Sequence, residues 1–141
     1  MKAPLFDKVL KLSQTIASAS AADDSKLRLT AYNKLQELCQ KSQGSKNDHP
    51  LQWEALADFT DDGDIALDIY QMALAKAEKL ALANYSASIY LSMAQRYHEF
   101  GESEKATELA LQANEFAQGS SDEEFKKEIN DLLESLKKLS T

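Results

Sequence analysis

The chain of 141 residues contains one cysteine, Cys39, which excludes a disulfide within the chain, and no second cysteine or nearby histidine offers the spacing of a metal site. Only four glycines and two prolines are present, whereas strong helix formers are abundant, so intrinsic propensity favours helix over strand. No apolar run approaches the roughly 18 residues that a membrane-spanning helix needs. These absences predict an all-α protein with no membrane span, and the lack of disulfides favours a cytoplasmic location.

Sequence signals for catalysis and cofactor binding are also missing. No glycine-rich phosphate loop occurs, and His49 and His98 lack a serine or cysteine pattern that would form a catalytic relay. Segment 58–63 begins like a calcium loop, but Ile69 occupies the position of the required glutamate. We therefore predict no enzyme activity, no cofactor and no metal site, and we interpret Cys39 as a small buried hydrophobic residue.

The amino-terminal segment has an early lysine and small residues near position 20, as secretory signals do. Charged and polar residues interrupt the apolar centre that such a signal needs. Its apolar side chains instead recur at helical spacing, on Leu5, Phe6, Val9, Leu12 and Ile16. We therefore predict a helix over about 4–18 and no cleaved leader.

Charge is divided unequally along the chain. Residues 1–47 carry a net charge of +4, whereas residues 48–141 carry −11, which gives −7 in total. The acidic part repels phosphate backbones, so we predict no nucleic-acid binding. The basic residues of the amino-terminal part are interpreted as a solvated helix face.

Periodicity and turn residues divide the chain into about seven helices. Asp24 or Ser25 can cap the second helix, and Pro50 opens the third. Ser121 and Glu124 form a capping-box pattern for the last helix. The residues of that helix predicted to face inward are Phe125, Ile129, Leu132, Leu133, Leu136 and Leu139.

Two stretches of the chain repeat one helix-turn-helix pattern. In the second stretch, Tyr90, Met93, Ala94 and Tyr97 stand at the spacing of W-x2-L-G-x2-Y, and alanines follow the turn at Gly101. This pattern resembles the tetratricopeptide repeats, whose unit is a pair of antiparallel helices. The earlier stretch, opened by Asp-His-Pro, looks like the variant repeats of kinesin light chains, in which the second helix is longer. The residues predicted to pack the repeats are Trp53, Leu56, Ala57, Ala66, Tyr70, Ala73, Tyr90, Met93, Ala94, Tyr97, Gly101, Ala106, Ala110 and Ala113.

By its length the chain is predicted to be a single α-helical domain over residues 1–141. The resemblance covers about residues 47–118 and implies that antiparallel helix pairs stack as a short right-handed α-solenoid. Residues 47–83 correspond to a first repeat and residues 84–119 to a second. Residues 1–46 are interpreted as an amino-terminal helix pair that forms a degenerate repeat. Residues 120–141 are interpreted as a capping helix.

Members of this family commonly bind partners on the concave surface lined by the first helix of each pair. At the corresponding positions, the predicted partner groove comprises Glu54, Asp58, Ser88, Leu91, Ser92, Gln95 and Glu99. This set is polar to acidic and lacks the basic residues with which some members bind a peptide carboxylate. We therefore expect a non-catalytic adaptor that binds a basic or amphipathic protein segment. Two alternatives stay open: self-association as a homo-oligomer, and a helical-bundle regulator or enzyme with a cryptic site.

Overall fold

The computed structural model describes residues 2–139, which form seven α-helices and no strand. The helices are α1 (Phe6–Ala21), α2 (Ser25–Ser42), α3 (Pro50–Asp58), α4 (Gly63–Lys79), α5 (Ala83–Glu99), α6 (Ser103–Phe116) and α7 (Glu123–Leu139). The prediction of an all-α fold with about seven helices is confirmed. The predicted capping helix 120–141 corresponds to α7, whereas residues 140 and 141, like residue 1, lie outside the described residues.

The chain forms two compact units, one up to Lys76 and one from Ala77, so the boundary falls within α4. In the first unit, α1 packs on α2 and both contact α3. In the second unit, α5 packs on α6 and both contact α7. In each unit, therefore, a helix pair is followed by a third helix that touches both members, which is the packing order of tandem helix pairs. The right-handed stacking of the pairs stays a prediction.

The two helix pairs close with the same three-residue turn. Residues 22–24 connect α1 to α2, and residues 100–102 connect α5 to α6. The middle residue of each turn is left-handed, with φ of 53° at Asp23 and 80° at Gly101. In both turns, the N–H of the residue after the left-handed one donates to the carbonyl five residues before it. These hydrogen bonds are Asp24 N–H to Ala19 at 2.8 Å and Glu102 N–H to Tyr97 at 3.0 Å. This closure satisfies the helix end and reverses the chain, so the paired helices run antiparallel.

The end of α4 uses the same closure, but an alanine occupies the left-handed position. Ala81 has φ of 55°, and the N–H of Leu82 donates to the carbonyl of Ala77 at 2.9 Å. Because a β-carbon is strained in this conformation, Ala81→Gly is expected to raise the free energy of unfolding by about 0.5–1 kcal/mol. Urea denaturation measures this change. Ala75→Gly, at an exposed site inside α4, is the matched control and should lower stability by about 1 kcal/mol. A loss of stability in Ala81→Gly would contradict the prediction.

Most residues predicted to pack the repeats are buried. Those nine-tenths or more buried are Trp53, Leu56, Ala57, Ala66, Tyr70, Ala73, Met93, Ala94, Ala106, Ala110 and Ala113. Tyr90 and Tyr97 are half-buried, and Gly101 is exposed because it forms the turn. The ring of Tyr90 stacks on Phe116 with centroids 5.6 Å apart, and Tyr97 meets Phe100 edge-on at 6.1 Å. Alanines therefore allow the helices to approach closely, while the tyrosines fill space at the edges of the core.

Helix ends differ from the sequence predictions at three places. The first helix continues to Ala21, not to about residue 18, because Ala19 is buried on its packed face and holds the last turn. The predicted capping box of α7 is wrong by one residue: the carboxylate of Asp122 accepts the N–H of Phe125 at 3.0 Å. Leu139 is 63% exposed and does not face inward, since it is the last residue of α7. The predicted cap at Asp24 is confirmed by its bond from the N–H of Leu27, at 3.1 Å.

Candidate binding surface on α5 and α7

One face of α5 carries a polar stripe. Ser88, Ser92, Gln95 and Glu99 follow one another at intervals of three or four residues, which places them on one side of a helix. The first three are half-buried and Glu99 is exposed. All four belonged to the predicted partner groove, and the structure brings them together on one accessible face.

The carboxylates of α7 extend this stripe. The Nε2 atom of Gln95 donates to Oε1 of Glu128 at 3.3 Å, and the two helices are in contact. Glu124 and Asp131 lie one turn before and one turn after Glu128, so they share its face. We call the combined set the α5–α7 surface: Ser88, Ser92, Gln95, Glu99, Glu124, Glu128 and Asp131. Sequence analysis missed the contribution of α7, although the acidic residues at helical spacing could have indicated it.

A shallow depression on α7 adds an apolar element to these carboxylates. It encloses about 440 Å³, and half-buried Phe125 lines it together with Glu124 and Glu128. The depression is also lined by Lys127 and Asp131, whose Nζ and Oδ2 atoms form an ion pair at 2.8 Å. Because both side chains are exposed, water screens this pair and it contributes little to stability. This bond raises the pKa of Lys127. An aromatic ring surrounded by carboxylates suits a ligand that has both apolar and cationic groups.

Three other predicted groove residues do not join this surface. Leu91 is 3% exposed and packs with Ala87, Ala113 and Ile129, so its assignment to an open groove is wrong. The reason is that α7 covers this side of α5. Glu54 is 9% exposed and offers a partner little surface. Asp58 is exposed, but it lies in the first unit and its carboxylate accepts a short hydrogen bond from the hydroxyl of Tyr70.

The first unit contains a polar cluster centred on Asp48. Its Oδ1 accepts Nε1 of Trp53 at 3.0 Å, and its Oδ2 accepts Nζ of Lys76 and the N–H of Gly44, both at 2.9 Å. Lys76 Nζ also lies 4.9 Å from the centroid of the Trp53 ring. We call these four residues the Asp48 cluster. They join the loop after α2 to α3 and α4, and their hydrogen bonds are satisfied within the protein, as expected of a structural site.

The pKa of Asp48 reflects this arrangement. Burial of the carboxylate raises it, but the hydrogen bonds from Gly44, Lys76 and Trp53, together with the charge of Lys76, outweigh burial and leave the pKa below its ordinary value. The carboxylate is therefore charged at neutral pH. The ion pair between Asp48 and Lys76 has only 16% and 18% of the two side chains exposed, so removal of either partner leaves a largely buried charge.

Cys39 lies near this cluster and has no features of a nucleophile. Its side chain is fully buried, and Sγ donates to the carbonyl of Gln52 at 3.2 Å. Burial, followed by the charge of Asp48, raises the pKa of the thiol to about 12. Because the thiolate is the reactive form, the interpretation of Cys39 as a core residue agrees with its surroundings.

His49 is the N-cap of α3. Its Nδ1 accepts the N–H of Leu51 at 3.1 Å, which requires an unprotonated Nδ1. Burial lowers the pKa of the imidazole below its ordinary value of 6.5, although the charge of Asp48 opposes this shift. Between the folded pKa and 6.5, the unfolded chain therefore binds more protons than the folded chain.

Stability is expected to fall as the pH drops below about 6.5 and to level off below the folded pKa of His49. His49→Ser keeps a capping side chain but does not titrate, so it should lose this dependence. Thermal unfolding of both proteins between about pH 7.5 and pH 5 measures the difference. If the melting temperatures of the two proteins change equally with pH, protonation of His49 does not contribute to the pH dependence of stability.

Residues 2–139 contain no group of three or more histidine, cysteine, aspartate or glutamate side chains able to hold a metal ion. None of the helices in this range is long and apolar enough to cross a membrane. Comparisons of the chain with family models, curated proteins and solved structures gave no match. The fold therefore defines the class: an all-α protein of packed helix pairs.

Proposed function

We propose that the chain is a non-catalytic protein-interaction module of the tetratricopeptide-repeat type, which binds a basic, amphipathic segment of a partner on the α5–α7 surface. The contact between Gln95 and Glu128 is the observation that supports this most directly. It joins the polar stripe of α5 to the carboxylates of α7 and so creates a continuous face across two helices.

The arrangement of the second unit supports the repeat assignment. The positions that matched the repeat motif in α5 and α6 are occupied by fully buried Ala94, Ala106, Ala110 and Ala113. The helix after the pair contacts both of its members, as the first helix of a following repeat would. The face of α5 that remains accessible is then the one on which such repeats commonly bind partners.

Electrostatics favour a cationic ligand. The α5–α7 surface carries four carboxylates, at Glu99, Glu124, Glu128 and Asp131, and the chain has a net charge of −7. Complementary charge accelerates association and fixes orientation, while half-buried Phe125 offers an apolar contact. Because these carboxylates are exposed, salt screens them, so we expect modest affinity that falls as ionic strength rises.

The test uses a synthetic helical peptide with lysine on one face and leucine on the other. Glu124→Lys with Glu128→Lys should weaken its binding at least about tenfold in titration calorimetry. The matched control is Asp64→Lys with Asp68→Lys, which has the same spacing, exposure and charge change in the first turns of α4. An equal loss in both double variants would assign binding to the overall charge, and no loss in the α7 variant would refute the proposed site.

A further inference from the structure

The connection before α7 contains a serine that does not cap the helix. The sequence predicts Ser121 as the cap, but the carboxylate of Asp122 accepts the N–H of Phe125 at 3.0 Å. The hydroxyl of Ser120 accepts the N–H of Asp122 at 3.1 Å. Neither of these hydrogen bonds uses the hydroxyl of Ser121, which belongs to an exposed residue.

Three consecutive acidic residues follow Ser121 in the chain. They are Asp122, Glu123 and Glu124, and all three are exposed, as is Ser121 itself. No other serine or threonine of the 141 residues precedes three consecutive acidic residues. Exposed carboxylates directly after a serine form the charge pattern by which a kinase with a basic substrate groove selects its substrates.

The backbone around Ser121 is accessible to such an enzyme. Residues 120–122 precede α7 and belong to no helix. Ser120 has extended backbone, with φ of −80° and ψ of 143°. Glu123 and Glu124 are the first residues of α7, where a helix end opens at little cost. Ser121 therefore lies outside the packed helices, on a segment that can enter an active site.

We propose that Ser121 is the phosphorylation site of an acid-directed serine kinase, and that the phosphate strengthens the binding of a cationic partner segment at the α5–α7 surface. The Oγ atom of Ser121 attacks the γ-phosphorus of Mg²⁺-ATP, and the bond from that phosphorus to the bridging oxygen breaks, which releases ADP. The hydroxyl proton passes to the catalytic base of the kinase.

The structure can hold the added charge at this position. A phosphoserine carries about −1.5 to −2 charge at pH 7, and the N-terminus of a helix such as α7 attracts anions. Lys126 Nζ, 3.8 Å from Glu123, offsets part of the repulsion between the phosphate and its acidic neighbours.

The phosphate would lie beside the proposed binding site. Ser121 is three residues before Glu124, the first carboxylate that α7 contributes to the α5–α7 surface. Its attraction for a lysine about 10 Å away should tighten binding about two- to fourfold at low salt. This effect on binding rests on the proposed function, whereas the modification itself does not.

The first experiment incubates the full chain with Mg²⁺-ATP and a purified acid-directed serine kinase of the casein-kinase type. Intact-mass spectrometry should show one phosphoryl group per chain, peptide fragmentation should place it on Ser121, and Ser121→Ala should abolish it. The matched control is Ser20→Ala, which should be phosphorylated like the wild type. Ser20 is also exposed and has Asp23 three residues later, but it lies in α1 and its Oγ accepts Nε of Arg28 at 2.9 Å.

The acidic residues are tested by the rate of phosphorylation. Glu124→Gln removes the carboxylate three residues after Ser121 and should lower this rate at least about tenfold. Glu134→Gln, which removes an exposed carboxylate farther along α7, is the matched control and should leave the rate unchanged. Circular dichroism verifies that each variant is folded. An unmodified Ser121 after prolonged incubation, or equal rates for Glu124→Gln and Glu134→Gln, overturns the modification site.

The second experiment compares the phosphorylated and unmodified chains by titration calorimetry with the same lysine–leucine peptide. The phosphorylated chain should bind about two- to fourfold more tightly at low salt, and the difference should shrink as salt is added. Equal affinities overturn the effect of the phosphate on binding. A peptide that binds neither form refutes the proposed function and this effect together, whereas the mass measurement decides the modification of Ser121 by itself.

Discussion

Replacement of Asp48 by alanine is expected to lower the free energy of unfolding by roughly 3 kcal/mol. The substitution leaves three donors without an acceptor: Nε1 of Trp53, Nζ of Lys76 and the N–H of Gly44. It also leaves the largely buried ammonium of Lys76 unpaired. Urea denaturation followed by Trp53 fluorescence measures the loss, because the indole belongs to the same cluster.

Asp61→Ala is the matched control for this prediction. Asp61 also forms an ion pair, with Arg28 at 3.3 Å, but its side chain is 88% exposed. Such a pair contributes at most about 1 kcal/mol. If Asp48→Ala and Asp61→Ala lower the free energy of unfolding equally, the hydrogen bonds of the Asp48 cluster do not form a buried network.

Replacement of Ile129 by alanine is expected to cost roughly 3 kcal/mol. Ile129 is fully buried and packs against Leu91, Ala87 and Ala113, so its truncation leaves a cavity between α7 and the α5–α6 pair. The loss should appear both in urea denaturation and as faster hydrogen exchange along α7. It links stability to the proposed binding site, because α7 supplies three of the seven residues of the α5–α7 surface.

The matched control for Ile129 is Ile65→Ala. Ile65 is 53% exposed, so its truncation should change stability by less than about 1 kcal/mol. An effect of Ile129→Ala no larger than this would show that α7 is not docked in solution. The α5–α7 surface would then be lost.

Local pattern in the sequence predicted the helices and most of the core, because helical periodicity follows from the residues of a single segment. Ile129 and Leu136 were predicted to face inward, and both are fully buried or nearly so. Leu139 has the same spacing but is exposed at the end of α7. Periodicity gives the face of a helix, but it does not show where the neighbouring helix stops.

The error at Leu91 has a related cause. The repeat pattern predicts which residues of α5 pack against α6, and Leu91 is not one of its positions. Its burial comes from α7, more than 30 residues later in the chain. The Asp48 cluster could not be predicted from the sequence for the same reason. Lys76 is 28 residues from Asp48, and no spacing rule pairs a loop carboxylate with a distant lysine. At the start of α7, Ser121 and Asp122 are both competent caps, so composition alone could not choose between them.

The buried thiol of Cys39 has a practical consequence. Its sulfur lies against the backbone of α3, and with a pKa of about 12 it is almost entirely protonated at neutral pH. Modification by an alkylating reagent must therefore wait until α2 and α3 separate. The chain has no other cysteine. The rate at which Cys39 is alkylated therefore measures how often the amino-terminal helices open, and no engineered probe is required.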